Sequence, residues 1–307
     1  MSEKIFDTII IGGGPAGYTA ALYCTRAGLS TLVLEKFSAG GQMTQTSTID
    51  NYPGFEEGID GFSLGFKMQQ GAERFGAETM QTEVLSVDLN SNPKKITTDS
   101  GELFAKTVII ATGADHKHLG VDKEDSLIGR GVGYCAACDG MLFRGRTVAV
   151  VGGGNSAAAD ALLLSKICQK VYVIVRRDTM RATKIYHEPL LKAENVEFKW
   201  NSEVRELLHG MKLSGVIIEN KDGESEEISL DGLFISIGRQ PATEIFEGQL
   251  ELDKSGYIIA DESTKTNIPG VFAVGDVRTK VLRQIITAAA DGAVASHFVE
   301  EFIAENK

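Results

Sequence analysis

Apolar residues come along this chain in short bounded runs, and the first of them already has a grammar. Asp7 to Ile11 form an apolar run of strand length, followed at once by the glycine turn Gly12-Gly13-Gly14-Pro15-Ala16-Gly17. Pro15 stands where the first turn of a helix tolerates a missing N–H, so a helix is predicted through Tyr18-Thr19-Ala20-Ala21-Leu22-Tyr23. It should stop at Gly28, a good residue just past a helix end, and the next strand should run through Thr31-Leu32-Val33-Leu34 to Glu35. That is a complete strand–helix–strand unit, with an acid about twenty residues beyond the glycines.

The same pattern restarts in the middle of the chain. Thr147 to Val151 read as a strand, Gly152-Gly153-Gly154-Asn155-Ser156-Ala157 as a second glycine turn, an Ala- and Leu-rich stretch as its helix, and Val171 to Val175 as the next strand, here ending on Arg176-Arg177. After intervening strands each unit closes with an apolar run ending in glycine: Val108-Ile109-Ile110-Ala111-Thr112-Gly113 in the first and Leu233-Phe234-Ile235-Ser236-Ile237-Gly238 in the second. The remainder, Val271-Phe272-Ala273-Val274-Gly275-Asp276 and a helical stretch from Gln284 to Ile303, is too small to hold its own core. It is therefore expected to return to the first unit. The predicted architecture is α/β, with two Rossmann-like dinucleotide-binding domains, each a three-layer ββα arrangement, the second inserted into the first. Residues 1–115 and 243–307 would form the discontinuous domain and residues 116–242 the inserted one. The crossings near Ala114-Asp115-His116 and Pro241-Ala242-Thr243 would act as a hinge pair.

Composition narrows the class. A chain of 307 residues with 43% hydrophobic and 24% charged residues is that of an ordinary globular protein of about two domains. No run of eighteen apolar residues occurs, and the opening Met1 to Asp7 lacks a basic region followed by an apolar one, so a cytoplasmic location is expected. The formal net charge of -11 would repel nucleic acid phosphates and anionic lipid, leaving a small molecule or a protein as the expected partner. Of the four cysteines, Cys24 and Cys168 lie in helical-looking stretches and read as core filler, but Cys135-Ala136-Ala137-Cys138 calls for a chemical explanation.

A glycine turn opening a helix presents backbone N–H groups and the positive end of the helix dipole to a pyrophosphate. Such turns also serve plain strand-to-helix packing; two of them, each in full context, favour two bound dinucleotides. Glu35 can accept hydrogen bonds from ribose hydroxyls and would repel a 2′-phosphate, which suits an unphosphorylated adenosine such as that of FAD. Arg176, Arg177 and Arg181 offer donor forks for a phosphate, which suits NADPH, with a solvated surface cluster as the alternative. Asp276, at the end of an apolar strand, is placed to bind a sugar or ribityl hydroxyl, or else to cap a helix or turn. Gly40-Gly41-Gln42 and Asn51 by themselves support turn chemistry. The Cys135/Cys138 spacing permits a small reversible disulfide ring. Zinc would need two further ligands, and neither a second such pair nor a suitably spaced histidine pair is present, His116 and His118 lying isolated upstream. Asp139 beside Cys138 disfavours a thiolate yet can carry its proton; its alternative role is a carboxylate stabilised at a helix start.

Taken together, Gly12 to Gly17, Gly40-Gly41-Gln42, Asn51-Tyr52-Pro53-Gly54, Ala111-Thr112-Gly113, Cys135 to Asp139, Gly152 to Ala157, Arg176-Arg177 with Arg181, and Gly275-Asp276 followed by Arg283-Gln284 resemble the low-molecular-weight, bacterial-type thioredoxin reductases, within the pyridine nucleotide-disulfide oxidoreductases, over essentially the whole chain. The resemblance implies a homodimer, FAD held by the discontinuous domain and NADPH by the inserted one. It further implies that Cys138 bonds to the flavin, Cys135 attacks the disulfide of thioredoxin, Asp139 serves as the acid–base group, and the inserted domain rotates between two positions. Two positions depart from the family pattern: Val175 stands where a histidine is usual before the arginines, and Ala137 where a threonine is usual between the cysteines. Relatives that use NADH, ferredoxin or a deazaflavin, a small-molecule dithiol oxidase of the same architecture, and a redox-sensing binding protein are the competing readings.

Overall fold

The computed structural model describes residues 4–46 and 48–306. From the start of the chain come β1 (Ile5–Ile11), α1 (Pro15–Arg26), β2 (Thr31–Glu35), α2 (Gly61–Glu73), β3 (Glu78–Gln81), β4 (Val84–Asp88), β5 (Lys94–Thr98), β6 (Gly101–Ile110) and β7 (Ala114–His116). Next follow β8 (Val132–Gly133), α3 (Ala136–Asp139), β9 (Thr147–Val151), α4 (Asn155–Ser165), β10 (Lys170–Val175), α5 (Lys184–Lys192), β11 (Val196–Trp200), β12 (Ser202–His209), β13 (Leu213–Asn220), β14 (Ser225–Ser229), β15 (Gly232–Ile235) and β16 (Arg239–Pro241). The chain closes with β17 (Val271–Ala273) and α6 (Ile285–Glu305). It divides into two compact units, residues 1–115 with 240–307, and residues 116–239, against the 242/243 boundary expected from the sequence. The two crossings, β7 and β16, run as a two-stranded ladder.

In the discontinuous unit β3, β2, β1 and β6 lie side by side and parallel. One edge of the ten-residue β6 is shared: its first half pairs antiparallel with β5, its second half parallel with β17. Alternation along β1 explains the layers. Ile9 and Ile11 face a core shared with Val87, Leu89 and Ile96 of the antiparallel segment, whereas Ile10 faces a core shared with α1 and α6. A parallel strand covered on both faces needs the near-continuous apolar runs that the sequence shows.

The inserted unit repeats that plan. Its parallel sheet has the order β11-β10-β9-β15-β8, and β12, β13 and β14 form a separate antiparallel sheet. Val148 and Val150 of β9 pack with Ala157, Ala161 and Leu164 of α4; Ala149 and Val151 pack with Val204, Leu207 and Val216 of the antiparallel sheet. Each unit is thus a helix layer, a parallel layer and an antiparallel layer, the predicted ββα arrangement, with the antiparallel layer joined to the parallel one through β6 in the first unit and separate in the second. Among the described residues no helix is long and apolar enough to cross a membrane.

Candidate functional site

The first glycine turn follows β1. Gly12 has φ +109°, and a Cβ there would lie 2.4 Å from Ala111 O at the end of β6, so glycine is required both by conformation and by space. A Cβ on Gly17 would lie 2.0 Å from Gly12 O, which lets α1 begin directly against the turn. At Gly14, by contrast, a Cβ would meet nothing within 4 Å. Gly14 is the N-cap of α1 and no side chain caps it; Pro15 occupies the first helical position, where its missing N–H costs nothing. The turn is therefore packed below and open above, at the uncapped start of a twelve-residue helix, and this is the shape a pyrophosphate fits.

Around it stand the other candidates of this unit. Glu35, the last residue of β2, accepts at Oε2 from Gly13 N–H (2.7 Å) and at Oε1 from Phe37 N–H (2.9 Å), bracing the turn from the neighbouring strand. Gly40 N–H donates to Gly13 O (2.8 Å), and Gly41, with φ +57°, begins a short 3-10 turn. Gln42 Nε2 donates to Ala114 O (2.5 Å) and Asp115 Oδ1 (3.0 Å). Ala111 N–H continues the ladder to Ile11 O, Thr112 Oγ1 donates to Ala242 O (2.7 Å), and Gly113 O accepts from Ala242 N–H. Gly275 and Asp276 lie in a 3-10 turn after β17. Arg283 Nε donates to Asp276 O (3.3 Å) while its guanidinium stacks 4.0 Å from the Tyr257 ring. Gln284 is the N-cap of α6 in a reciprocal box with Thr287, and its Oε1 accepts from Asn51 Nδ2 (3.1 Å). The amides of Asn51 and Gln284 thus meet across 233 residues of sequence.

The second turn follows β9 and has the same mechanics. Gly152 has φ +145°, and its Cβ would lie 2.4 Å from Ser236 O; Gly154, the uncapped N-cap of α4, faces open space. Asn155 Oδ1 accepts from Thr183 N–H (2.8 Å), while Ser156 is exposed and Ala157 buried in the first turn of α4. Arg181 N–H donates to Gly153 O (2.6 Å), which brings its segment onto the turn. Arg176, Arg177 and Arg181 are all exposed. Among the described residues no side-chain hydrogen bond or ion pair engages their guanidiniums. The departure at Val175 has a place too: its Cγ1 lies 3.0 Å from a Cβ built on Gly153, so an apolar side chain covers the turn there.

Cys135 and Cys138 are joined in a disulfide, with Cα atoms 5.3 Å apart. Cys135 is the N-cap of the four-residue α3, and both Cys138 N–H and Asp139 N–H donate to Cys135 O (3.1 Å each), closing the ring into one turn of helix. Asp139 is half-buried, and burial raises its carboxyl to about 6, which puts it in the range where a carboxyl can both give and take a proton near neutrality. Cys24 and Cys168 are buried, and burial pushes their thiols up to about 12 and about 11, so both are inert.

Sequence reasoning missed a buried support for Tyr134, the residue that precedes Cys135. Glu124, buried, accepts from Leu119 N–H (3.0 Å), Gly120 N–H (2.9 Å) and the Tyr134 hydroxyl (2.7 Å). His116 stacks on Tyr134 with centroids 4.6 Å apart, and burial, helped by the charges of Arg239 and His118, pushes its imidazole down to about 3. His116 and His118 are therefore ring partners of the tyrosine that precedes Cys135. Among the described residues no group of three histidines, cysteines or acids is arranged to hold a metal ion.

Comparison with known proteins identifies the family. The profile of the pyridine nucleotide-disulphide oxidoreductase family matches residues 6–292. A thioredoxin reductase of Streptomyces clavuligerus is 45% identical over 308 residues, covering 99% of this chain and 95% of the relative. One from Bacillus subtilis is 43% identical over 305 residues, covering 99% and 96%. The crystal structure of thioredoxin reductase from Streptococcus pyogenes superposes with a TM-score of 0.92 at 42% identity, covering 99% of this chain and 100% of that one. The chain belongs to the pyridine nucleotide-disulphide oxidoreductases, in the thioredoxin reductase family, and is an oxidoreductase whose family binds a flavin and a nicotinamide nucleotide.

Proposed function

We propose that this protein is an NADPH-dependent thioredoxin-disulfide reductase, with FAD in the discontinuous unit and NADPH in the inserted one. The observation that carries the reading is the Cys135–Cys138 disulfide with Asp139 beside it, held in a chain that has two uncapped helix starts opening from glycine turns. Bound FAD would supply the two-electron link between a hydride donor and a disulfide.

The chain's own residues divide the work. Gly12 to Gly17 would cradle the flavin nucleotide's pyrophosphate and Glu35 its adenosine ribose, while Asp276 would hold the ribityl side and the Gln42, Asn51 and Gln284 amides, with Arg283, would bound the ring. Gly152 to Ala157 would cradle the second pyrophosphate, and Arg176, Arg177 and Arg181, exposed and without side-chain partners among the described residues, would read a 2′-phosphate. In the dithiol step, electrons enter at Cys138, a proton passes through Asp139, and the Cys135 thiolate attacks the thioredoxin disulfide to form a mixed disulfide. Cys138 then displaces reduced thioredoxin and regenerates the ring. The β7/β16 crossings would serve as the hinge between the two working positions that such a relay needs. A homodimer in the cytoplasm completes the proposal.

Stopped-flow mixing with NADPH, NADH or reduced ferredoxin under anaerobic conditions tests donor and flavin together. The yellow protein should bleach within seconds with NADPH and more slowly with the other two. Cys138→Ser should keep its flavin and its NADPH bleaching but lose thioredoxin reduction. Wild-type thioredoxin turnover in that variant would overturn the relay, and turnover on a small dithiol with oxygen in place of thioredoxin would favour an oxidase.

A further inference from the structure

Beneath the Gly275–Asp276 turn lies a charged cluster to which the relay above assigns no part. Asp291, in α6, accepts at Oδ2 from Gly275 N–H (2.8 Å), Arg278 Nε (2.9 Å) and Lys280 Nζ (2.8 Å), and at Oδ1 from Arg278 Nη2 (2.7 Å). Lys280 Nζ also donates to Thr287 O (3.2 Å), in the first turn of α6, and Arg278 Nη1 to Ala260 O (3.3 Å) and Thr279 O (3.0 Å). The side chains of Arg278, Lys280 and Asp291 are 2%, 6% and 7% exposed. The nearest further acid, Glu262, reaches Arg278 at 3.6 Å but is 96% exposed, so solvent screens it. Burial alone would raise the Asp291 carboxyl, yet the hydrogen bonds from Arg278 and Lys280 hold it below its ordinary range.

Among the buried side chains, then, two cations face one anion; the further acids that act on Arg278, namely Glu262 and Asp261, are both exposed to solvent, so the excess positive charge belongs to the buried set. Packing alone does not call for this, since well-fitted apolar side chains usually fill such a volume at no loss of stability. In a poorly solvated interior an unbalanced charge acts over a longer range than it would at the surface. Its position is specific. Asp291 grips the turn after β17, Lys280 grips the start of α6, and both lie at the edge where the parallel strands β1, β2, β6 and β17 end, together with the Gly12–Gly17 turn. A dinucleotide in this unit lies along that edge.

We propose that Lys280, acting with Arg278 and Asp291, positions the Gly275–Asp276 turn against the start of α6 and sets the reduction potential of the flavin upward through its excess positive charge. The inference rests on the reading that this unit holds a flavin. Two-electron reduction of a flavin takes up two electrons and one proton and leaves the isoalloxazine with a negative charge. A fixed neighbouring cation favours that form over the neutral oxidised ring. Lys280 is the member whose charge can be removed while the two-bond Arg278–Asp291 pair stays intact.

The test uses the full chain with its flavin bound and three variants: Lys280→Met, Lys280→Gln, which keeps a donor but no charge, and Lys280→Arg. The flavin midpoint is titrated against a reference dye at constant pH, alongside the flavin dissociation constant and the melting temperature. Both neutral variants should retain flavin and show the ratio of reduced to oxidised flavin lowered about tenfold at a fixed poise, a shift of about 30 mV for a two-electron couple. Lys280→Arg should lie within about twofold of wild type. A purely structural role would weaken flavin binding or melting and leave the midpoint of the bound flavin unmoved. The proposal is overturned if either neutral variant keeps the wild-type midpoint, if Lys280→Arg fails to restore it, or if both neutral variants fold but release flavin. Wild-type protein that neither contains nor takes up flavin would instead sink the underlying reading of the unit.

Discussion

The position that Gly17 fills in α1 is filled by Ala157 in α4, and the surroundings give the reason. A Cβ on Gly17 would collide with Gly12 O at 2.0 Å; the Ala157 Cβ is accommodated, 2.9 Å from where a Cβ on Gly152 would stand. The far side of α1 is equally tight, because a Cβ on Gly292 of α6 would lie 2.3 Å from Ala16 O. α1 is thus pressed between its own turn and the long terminal helix. A second contrast concerns the neighbouring strand. The register pairs Ile11 with Leu34 and Val151 with Ile174, so Glu35 and Val175 occupy matching places, each against the second glycine of its turn. The carboxylate of the first unit is replaced in the second by an apolar side chain, with exposed guanidiniums directly after it. One scaffold has been given two electrostatic faces, which is how paired domains in one chain would keep two nucleotides apart.

Breaking the contrast at the helix start should have the largest effect. Gly17→Ala should cost about 3 kcal/mol or more and release the flavin, whereas Ala157→Gly should cost only about 1 kcal/mol; urea melts with the flavin absorbance followed in parallel check both. Next come the electrostatic faces. Arg176→Ala with Arg177→Ala should weaken NADPH binding about 100-fold, at roughly 1.4 kcal/mol per arginine, while NADH changes less than about twofold. Equal losses would show that these arginines do not read the 2′-phosphate. Val175→Glu, which installs the carboxylate of the first unit, should turn the preference toward NADH.

A comparable effect, confined to one pH window, belongs to Asp139, for which the first unit has no counterpart. Its folded value of about 6 lies above the ordinary 3.8, so the folded chain keeps a proton between about pH 4 and pH 6 that the unfolded chain has lost. Stability should therefore fall as pH rises through that window, by up to about 3 kcal/mol, and Asp139→Asn should remove this slope. The rate of thioredoxin reduction should lose its inflection near pH 6 in the same variant. The smallest effect is expected where the units agree. Cys24 and Cys168, one in each unit and both buried, should resist alkylation below pH 9 in the folded protein, so that mass spectrometry finds label on Cys135 and Cys138 alone after reduction.

Much of this was readable one short segment at a time. The apolar runs before Gly12 and Gly152, Pro15 at the first helical position and the spacing of Glu35 all report local geometry, and local geometry follows from nearby residues. The antiparallel segments β4–β5 and β12–β14 were harder, because β4, β12 and β14 are largely exposed with irregular alternation, and they entered only as intervening strands. Asp276 illustrates the limit at the site: the sequence offered a ligand or a turn residue, and the structure places it in a turn whose neighbour Gly275 is held by Asp291.

By itself, then, the order of residues determined two strand–turn–helix units, a vicinal thiol pair and the sign of the charge after each glycine turn. All of these rest on backbone preferences and side-chain chemistry within a few residues. Only the tertiary structure decided that Asp291 would grip Arg278, Lys280 and the Gly275 N–H, that Glu124 would hold the Tyr134 hydroxyl, and that Asn51 would meet Gln284. Those partners are separated by up to 233 residues. What joins them is the burial of polar groups that must find hydrogen bonds once water is excluded, a requirement that acts through space and leaves no spacing in the chain to read.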